Sequence, residues 1–511
     1  MKNITRALIS VSDKSNLDNL IEYLTKASIE IISTGGTAKY IKEKIGKVTE
    51  IDDYTGYPEI LGGRVKTLNP AVHGGILAKR SDKQHILEMV QNNIKAIDLV
   101  IVNLYPFEET VSGEHKFEDA IEKIDVGGPT MIRAAAKNFN DVTIITDPID
   151  YQGLIDELKG NNNHTSFEYR KSAAIKAFNR TRSYDSAICD WFDDNNNLNL
   201  RAPLKTKLRY GENPHQKAEL YITDNSGLVG AIQLQGKELS YNNLNDGDAA
   251  YKIARDFEEP FVAIVKHANP CGASAAEDIT TAFRKALSCD PISSFGGIVA
   301  LNREVTLVTA EALSKIFFEV IIAPSITQEA QELLGKKKNL RILLIKDFYK
   351  NINARKLKSI TGGLLIQDED SKSTLKENLT LATKTKATEV QILELIFAYK
   401  MVKHVKSNAV LFSCDKTIIA IGAGQMSRVD AAKIASDKLT KYRSEHEINS
   451  DNLVFASDAF FPFPDGLIIG IEAGAKAVIQ PGGSMRDEEV VQAANERNIP
   501  MMLTGFRHFN H

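Results

Sequence analysis

The sequence predicts an α/β protein of at least two domains, and three observations carry that prediction. Short apolar runs such as "RALISV", "IEIIS", "LVIV" and "VTIIT" alternate with stretches of helical pattern, the rhythm of a parallel sheet with crossover helices. Polar residues gather where these runs end, at Ser12 and Lys14, at Ser33-Thr34-Gly35-Gly36-Thr37, and at Asn103 and Tyr105. In such sheets ligands bind beyond the carboxyl ends of the strands. The pattern then lapses over 193–207, "DDNNNLNLRAPLKTK", which has the composition of a boundary, and resumes afterwards.

The resumed pattern contains "PFVAIVKH", "GGIVALN", "LRILLI", "TIIAIGAG", "NLVFASDAF", "AKAVIQPGG" and "IPMMLTG" as strand runs. Domains are therefore expected at 1–198 and 199–511, with a sub-boundary near 345–385, where the sequence is polar and weakly periodic. A length of 511 residues allows large cores without disulfides or metals. The 63 basic and 66 acidic side chains give a net charge of -3, no footprint for nucleic acid or an anionic membrane. No uncharged apolar run reaches a membrane span and no signal-peptide pattern opens the chain, so a cytoplasmic protein is expected. No two of Cys189, Cys271, Cys289 and Cys414 have CxxC spacing, which reads as four reduced thiols.

Three loops of the first part combine glycines, hydroxyls and cations. "LGGRVKTLNP" sets Arg64 and Lys66 two residues apart, facing one way if the segment is extended. "STGGT" can turn backbone N–H groups toward an anion, although it lacks the GK[ST] of a Walker loop. "IDVGGPTMIRAAAKN" starts a helix at Pro129, with Asp125 before it and Arg133 and Lys137 on one face. Each loop alone is consistent with a plain turn or a solvated face. All three at strand ends suggest a pocket for a phosphorylated small molecule.

In the second part, "IVKHANPCGAS" at 264–274 juxtaposes Lys266 and His267. A zinc deaminase needs His-x-Glu and Pro-Cys-x-x-Cys, and here both the glutamate and the second cysteine are missing. Cys271 is either a nucleophile or a small buried residue. Lys266 and His267 fit best as an acid and a base. The strand must break for both to share a pocket, and Asn269-Pro270 would supply that break; the plain alternative is a surface lysine beside a buried histidine. Ser427-x-x-Asp430 and Gly482-Gly483-Ser484 with Asp487 read as helix starts. "SDAFFPFPDG" offers Phe460, Phe461 and Phe463 as a core plug or as a flat surface for a ring system.

Twelve motifs in order, among them "STGGT", "GGRVKTL", "NLYPF", "GGPTMIRAAAKN", "LRYGENPHQ", "KHANPCGA", "SSFGG", "GAGQMSR", "SDAFFPF" and the terminal "TGFRHFNH", resemble the bifunctional purine-biosynthesis family that joins AICAR transformylase to IMP cyclohydrolase. The resemblance spans nearly the whole chain. It implies a methylglyoxal-synthase-like cyclohydrolase domain, followed by a transformylase of two cytidine-deaminase-like α/β units without zinc. It also implies 10-formyltetrahydrofolate as co-substrate, no required metal, AICAR, formyl-AICAR and IMP as ligands, and a homodimer sharing the transformylase site. By the same carry-over, Lys66, Tyr105, Asp125 and Lys137 serve ring closure, while Ser12, Lys14, Ser33, Thr34, Gly36, Thr37, Arg64 and Asn103 hold its substrate. Lys266, His267 and Asn408 serve formyl transfer. Arg209, Tyr210, Gly296, Glu319, Arg507 and Phe509 contact the nucleotide, and Arg428, Phe460 and Pro462 border the folate. Glu319 stands where the family often has aspartate. Two rival readings remain: a zinc-type nucleoside deaminase relative, which bound zinc would support, and a non-catalytic nucleotide-binding regulator, which would have lost some of these residues.

Overall fold

The computed structural model describes residues 1–193, 197–200, 202–349 and 355–511. They form two compact units, Met1–Arg201 and Ala202–His511. The boundary stretch at 193–207 and the sub-boundary near 345–385 each lie partly outside the described residues.

The first unit is built on a five-stranded sheet in the order Thr49–Glu50, Glu30–Ser33, Arg6–Ser10, Leu99–Val102, Thr143–Ile145, parallel throughout. The period-two alternation of its strands explains its two faces. Ala7, Ile9, Leu99 and Ile101 pack with Leu17, Leu20 and Leu24 of the helix Leu17–Lys26. Leu8, Val100 and Val102 pack on the other face with Met131 and Ile132 of the helix Gly127–Lys137 and with Tyr184 of Phe167–Phe192. The chain runs outward from Arg6–Ser10 in one direction and from Leu99–Val102 in the other. The carboxyl ends of these two strands therefore flank the crevice where ligands of open α/β sheets bind.

The second unit holds a 12-stranded sheet made of two halves with one plan. In the first half a hairpin, Phe261–Lys266 with Asn269–Ala275, leads through alternating helices to Ile298–Leu301, Val320–Ala323 and Arg341–Leu344. In the second half the hairpin is Val410–Cys414 with Thr417–Gly422, and the following strands are Val454–Ser457, Ala477–Gln480 and Met501–Leu503. The halves meet where Ser274 pairs with Thr417. Each hairpin presses a helix so closely that glycine is required: a Cβ on Gly272 would lie 2.0 Å from the Ala286 carbonyl oxygen, and one on Gly422 1.8 Å from that of Ala431. Among the described residues no helix is long and apolar enough to cross a membrane.

The stretch 345–385 is more regular than its polarity suggests. Arg355–Ile360 and Gly363–Asp368 form a separate antiparallel hairpin. Lysines alternating with apolar residues in "RKLKSI" hid the strand, because its Leu357, Ile360, Leu364 and Leu365 stay exposed rather than facing a core.

One buried acid joins a helix of the second half to its hairpin. Glu394, on the helix Glu389–Val402, is 5 % exposed. Its carboxylate accepts the Ser413 hydroxyl and the Lys416 N–H at 2.8 Å, the latter in the hairpin turn. Burial pushes Glu394 up to about 7. An acid with a raised folded pKa contributes stability that is fully present below its unfolded value, near 4.5, and is lost as pH rises through 7. The difference across that window is roughly 3 kcal/mol. Glu394→Gln, whose amide can serve both partners, is expected to flatten the fall of melting temperature between pH 5 and 8; parallel curves for variant and wild type would refute this.

Candidate functional sites

In the first unit a side chain ties together the two strand ends that flank the crevice. Asn103 follows Leu99–Val102, and its Oδ1 accepts the N–H groups of Ser12 and Asp13 at 2.6 and 3.0 Å, while its Nδ2 donates to the Asp13 carbonyl at 2.7 Å. Asn103 thus shapes the loop carrying Ser12 and Lys14. The hydroxyls of "STGGT" turn inward. Ser33 donates to the Ile9 carbonyl, Thr37 to that of Val11, and Thr34 bonds Ser10. What this loop presents outward is backbone: exposed Gly35 and Gly36 open the helix Gly35–Ile45, whose first N–H groups favour an anion.

Lys66 reaches this loop. A Cβ on Gly35 would lie 3.0 Å from its Nζ, and the ammonium pairs with Glu59 at 2.5 Å. The next residue, Thr67, touches the second glycine-bearing segment, its Oγ1 lying 2.9 Å from the Cβ position of Gly127. The Asp125 carboxylate accepts the Gly128 N–H at 2.8 Å and also the N–H of Tyr105. Burial raises Asp125 from its ordinary value, against the pull of those two N–H groups, and so makes it a better base. Tyr184, fully buried, fixes the segment by accepting the Asp125 N–H and donating to the Lys123 carbonyl. Lys66, Tyr105, Asp125 and the two glycine loops therefore lie along one rim.

One expectation changes here. "GGRVK" is not extended: Leu61–Gly63 is a 3-10 turn and Arg64 has helical angles. Arg64 consequently pairs with Glu122 while Lys66 turns to Glu59, and the two cations do not face one anion. Lys137 is exposed at the far end of the helix Gly127–Lys137 from Asp125.

In the second unit, Lys266 and His267 both line a cavity of about 250 Å³ with Asn269, Cys271, Asp290, Ser293 and Lys438. The break between them is not at Asn269-Pro270, which already belong to the returning strand. It is a two-residue turn, with Lys266 paired to Asn269 and with His267 and Ala268 left-handed at φ 54° and 55°. The Lys266 Nζ donates to the Phe295 carbonyl at 2.7 Å, next to Gly296. The Gly296 N–H donates to Phe317, and the Glu319 carboxylate accepts from Asn243 Nδ2 at 2.8 Å. Asn243 sits on the helix Tyr241–Arg255, as does Asp246, whose carboxylate accepts the His267 and Ala268 N–H groups at 3.1 and 2.9 Å. Lys266, Gly296, Glu319 and His267 are thus joined in one circuit. Arg341 lies 3.9 Å from Glu319; burial lowers Arg341, Glu319 opposes this and the neighbouring Arg209 adds to it. Arg209 stacks over the Tyr210 ring at 4.9 Å, and Arg507 over Phe509 at 4.3 Å.

Asn269 ties the turn to the second half by accepting the Lys406 N–H at 3.0 Å. Two residues on, Asn408 donates to the carbonyls of Gln425 and Met426 and accepts from Arg428 Nη2 at 2.9 Å. Arg428 is itself buried and spends Nη1 on Ala409, Ser457 and Asp458. Its guanidinium is held by these internal partners. The aromatic loop divides: Phe461 is fully buried and stacks with Phe455, whereas Phe460 is half-buried, Pro462 is exposed, and exposed Phe463 lies under Arg486 at 4.6 Å. Cys271 donates to the Ile264 carbonyl and lies beside the Ser294 hydroxyl, and burial pushes its thiol up to about 11. It is a half-buried thiol, not a poised nucleophile. Among the described residues no three His, Cys, Asp or Glu side chains come together as a metal-binding group.

Sequence reasoning missed Asn243, Asp246, Glu59 and Tyr184. Asn243 and Asp246 had a signal, since polar residues three apart share a helix face in "SYNNLNDGDAA". Glu59 and Tyr184 join their partners only through the fold.

Two compact α/β units, each with its own polar rim, define a two-site enzyme. A model of the AICARFT/IMPCHase bienzyme matches residues 135–438, and a model of the MGS-like domain matches 16–130. The bifunctional purine biosynthesis protein PurH of Rhodospirillum rubrum is 48% identical over 99% of each chain, and that of Bradyrhizobium diazoefficiens is 48% identical over 100% of this chain and 99% of its own. A crystal structure of ForH is 37% identical over 37% of this chain and 99% of its own, with a TM-score of 0.33. The chain belongs to the AICARFT/IMPCHase bienzyme family, the bifunctional enzymes of purine biosynthesis that unite an AICAR transformylase with an IMP cyclohydrolase.

Proposed function

We propose that the second unit transfers the formyl group and the first closes the ring, and that the observation carrying this division is the placement of Lys266 and His267 on one cavity, in a different unit from Lys66, Tyr105 and Asp125. The 5-amino group of AICAR attacks the formyl carbon of 10-formyltetrahydrofolate. That amine is a weak nucleophile, because its lone pair is delocalised into the imidazole and carboxamide. His267 takes its proton as the new C–N bond forms. Lys266 supports the tetrahedral intermediate and protonates the departing folate nitrogen. Asn408 exchanges one of its donor bonds for the developing oxyanion. Arg209, Tyr210, Gly296, Glu319, Arg507 and Phe509 hold the nucleotide, with Phe460 and Pro462 at the folate edge. The inward-facing Arg428 orients Asn408.

In the first unit the carboxamide nitrogen of formyl-AICAR attacks the formyl carbon, and water leaves. Asp125 accepts the carboxamide proton, and Lys66 with Tyr105 polarises the formyl oxygen that departs as water. The loops bearing Ser12, Lys14, Ser33, Thr34, Gly36, Thr37, Arg64 and Asn103 hold phosphate and ribose. Folding the substrate for attack supplies much of the acceleration. Lys137, in the last turn of the helix Gly127–Lys137, works with Asp125 to orient or deprotonate the carboxamide. The duplicated plan of the second unit supports two cytidine-deaminase-like halves whose zinc ligands have been lost, and the reaction needs no metal. A cytoplasmic homodimer sharing the transformylase site completes this reading.

The test is an assay of the purified chain with AICAR and 10-formyltetrahydrofolate. IMP formation dependent on both supports the reading. Turnover without the folate, or none with it, defeats it.

A further inference from the structure

We propose that Asp246 is a positioning residue for formyl transfer: it holds the Lys266–Asn269 turn in the one backbone shape that points His267 into the cavity. This rests on the assignment of His267 as the base. A two-residue hairpin loop with both residues left-handed is ordinarily written Asn-Gly or Gly-Gly, because other side chains resist positive φ. Here it is His267-Ala268, at φ 54° and 55°, and no glycine relieves it. Something outside the hairpin must impose the shape. Successive left-handed residues turn their N–H groups toward one point, a concavity for an anion. That point is occupied by the Asp246 carboxylate, each oxygen accepting one N–H, at 3.1 and 2.9 Å. The same helix face carries Asn243, three residues earlier, which holds Glu319. One helix therefore sets the base and a nucleotide-binding carboxylate in a common frame, while Asp246 need not touch substrate.

Asp246→Asn keeps the shape of the side chain but can accept only one of the two N–H groups. It is expected to lower kcat for formyl transfer on the order of tenfold to a hundredfold. KM for AICAR should stay within about threefold, and ring closure of supplied formyl-AICAR should be unchanged. The discriminating measurement is the double variant with His267→Ala. If Asp246 acts through His267, Asp246→Asn costs nothing further in that background; an undiminished loss there would make Asp246 merely structural and overturn the proposal. Adding Ala268→Gly to Asp246→Asn should recover part of kcat, since glycine adopts the turn unaided, and this pair carries the test should Asp246→Asn alone fail to fold. No recovery would count against the proposal. Should His267→Ala by itself leave formyl transfer intact, the base assignment fails first, and Asp246 loses this role with it.

Discussion

His267→Ala is expected to remove formyl transfer, lowering its turnover on the order of 10²–10⁴-fold, while formyl-AICAR supplied directly is still closed to IMP at the wild-type rate. The two effects separate because the imidazole lies in the second unit, whereas Lys66, Tyr105 and Asp125 lie in the first. The substitution leaves the turn intact. The backbone N–H of residue 267 can still donate to Asp246, and alanine already occupies a left-handed position next door at Ala268. Loss of activity would therefore report on the imidazole and not on the hairpin. Initial rates at saturating AICAR, followed as tetrahydrofolate release, measure the first activity, and chromatography of added formyl-AICAR measures the second. Formyl transfer within about threefold of wild type would reject His267 as the base, and Lys266 would have to carry both proton transfers.

The architecture was legible where one period dominated. The strands of the first unit and those after Ala202 stand where apolar runs meet glycines, and Ser427 caps its helix through the Asp430 N–H as the spacing foretold. The hairpin Arg355–Ile360 was obscured because its alternating lysines carry no core signal. The direction of single side chains was less legible. "GGRVK" contains the right cations, but a positive φ at Gly62 and Gly63 breaks the extended repeat, and Arg64 and Lys66 part company. "KHANP" announced a break and misplaced it by two residues, because the proline suits the edge of a returning strand and a carboxylate from another helix enforces the turn. Partners such as Glu59 and Tyr184 are remote in sequence, and no local pattern could name them.

Lys66→Ala should reverse the first phenotype: formyl transfer persists and the formylated intermediate accumulates, with ring closure slowed on the order of 10²–10³-fold. Two causes act in the same direction. The ammonium beside the Gly35 loop is lost as a donor to the departing oxygen, and Glu59, its partner at 2.5 Å, is left as an unbalanced negative charge on the same rim. That charge would repel both the phosphate and the formyl oxygen. Lys66→Ala combined with Glu59→Gln divides the two contributions. If repulsion dominates, the added substitution restores most of the affinity for formyl-AICAR; if donation dominates, KM recovers but kcat remains low. Because the Lys66 amine is the only ammonium seen against Gly35 among the described residues, the second pattern is expected. IMP appearing at the wild-type rate without accumulation of intermediate would remove Lys66 from ring closure and leave the step to Tyr105 and Asp125.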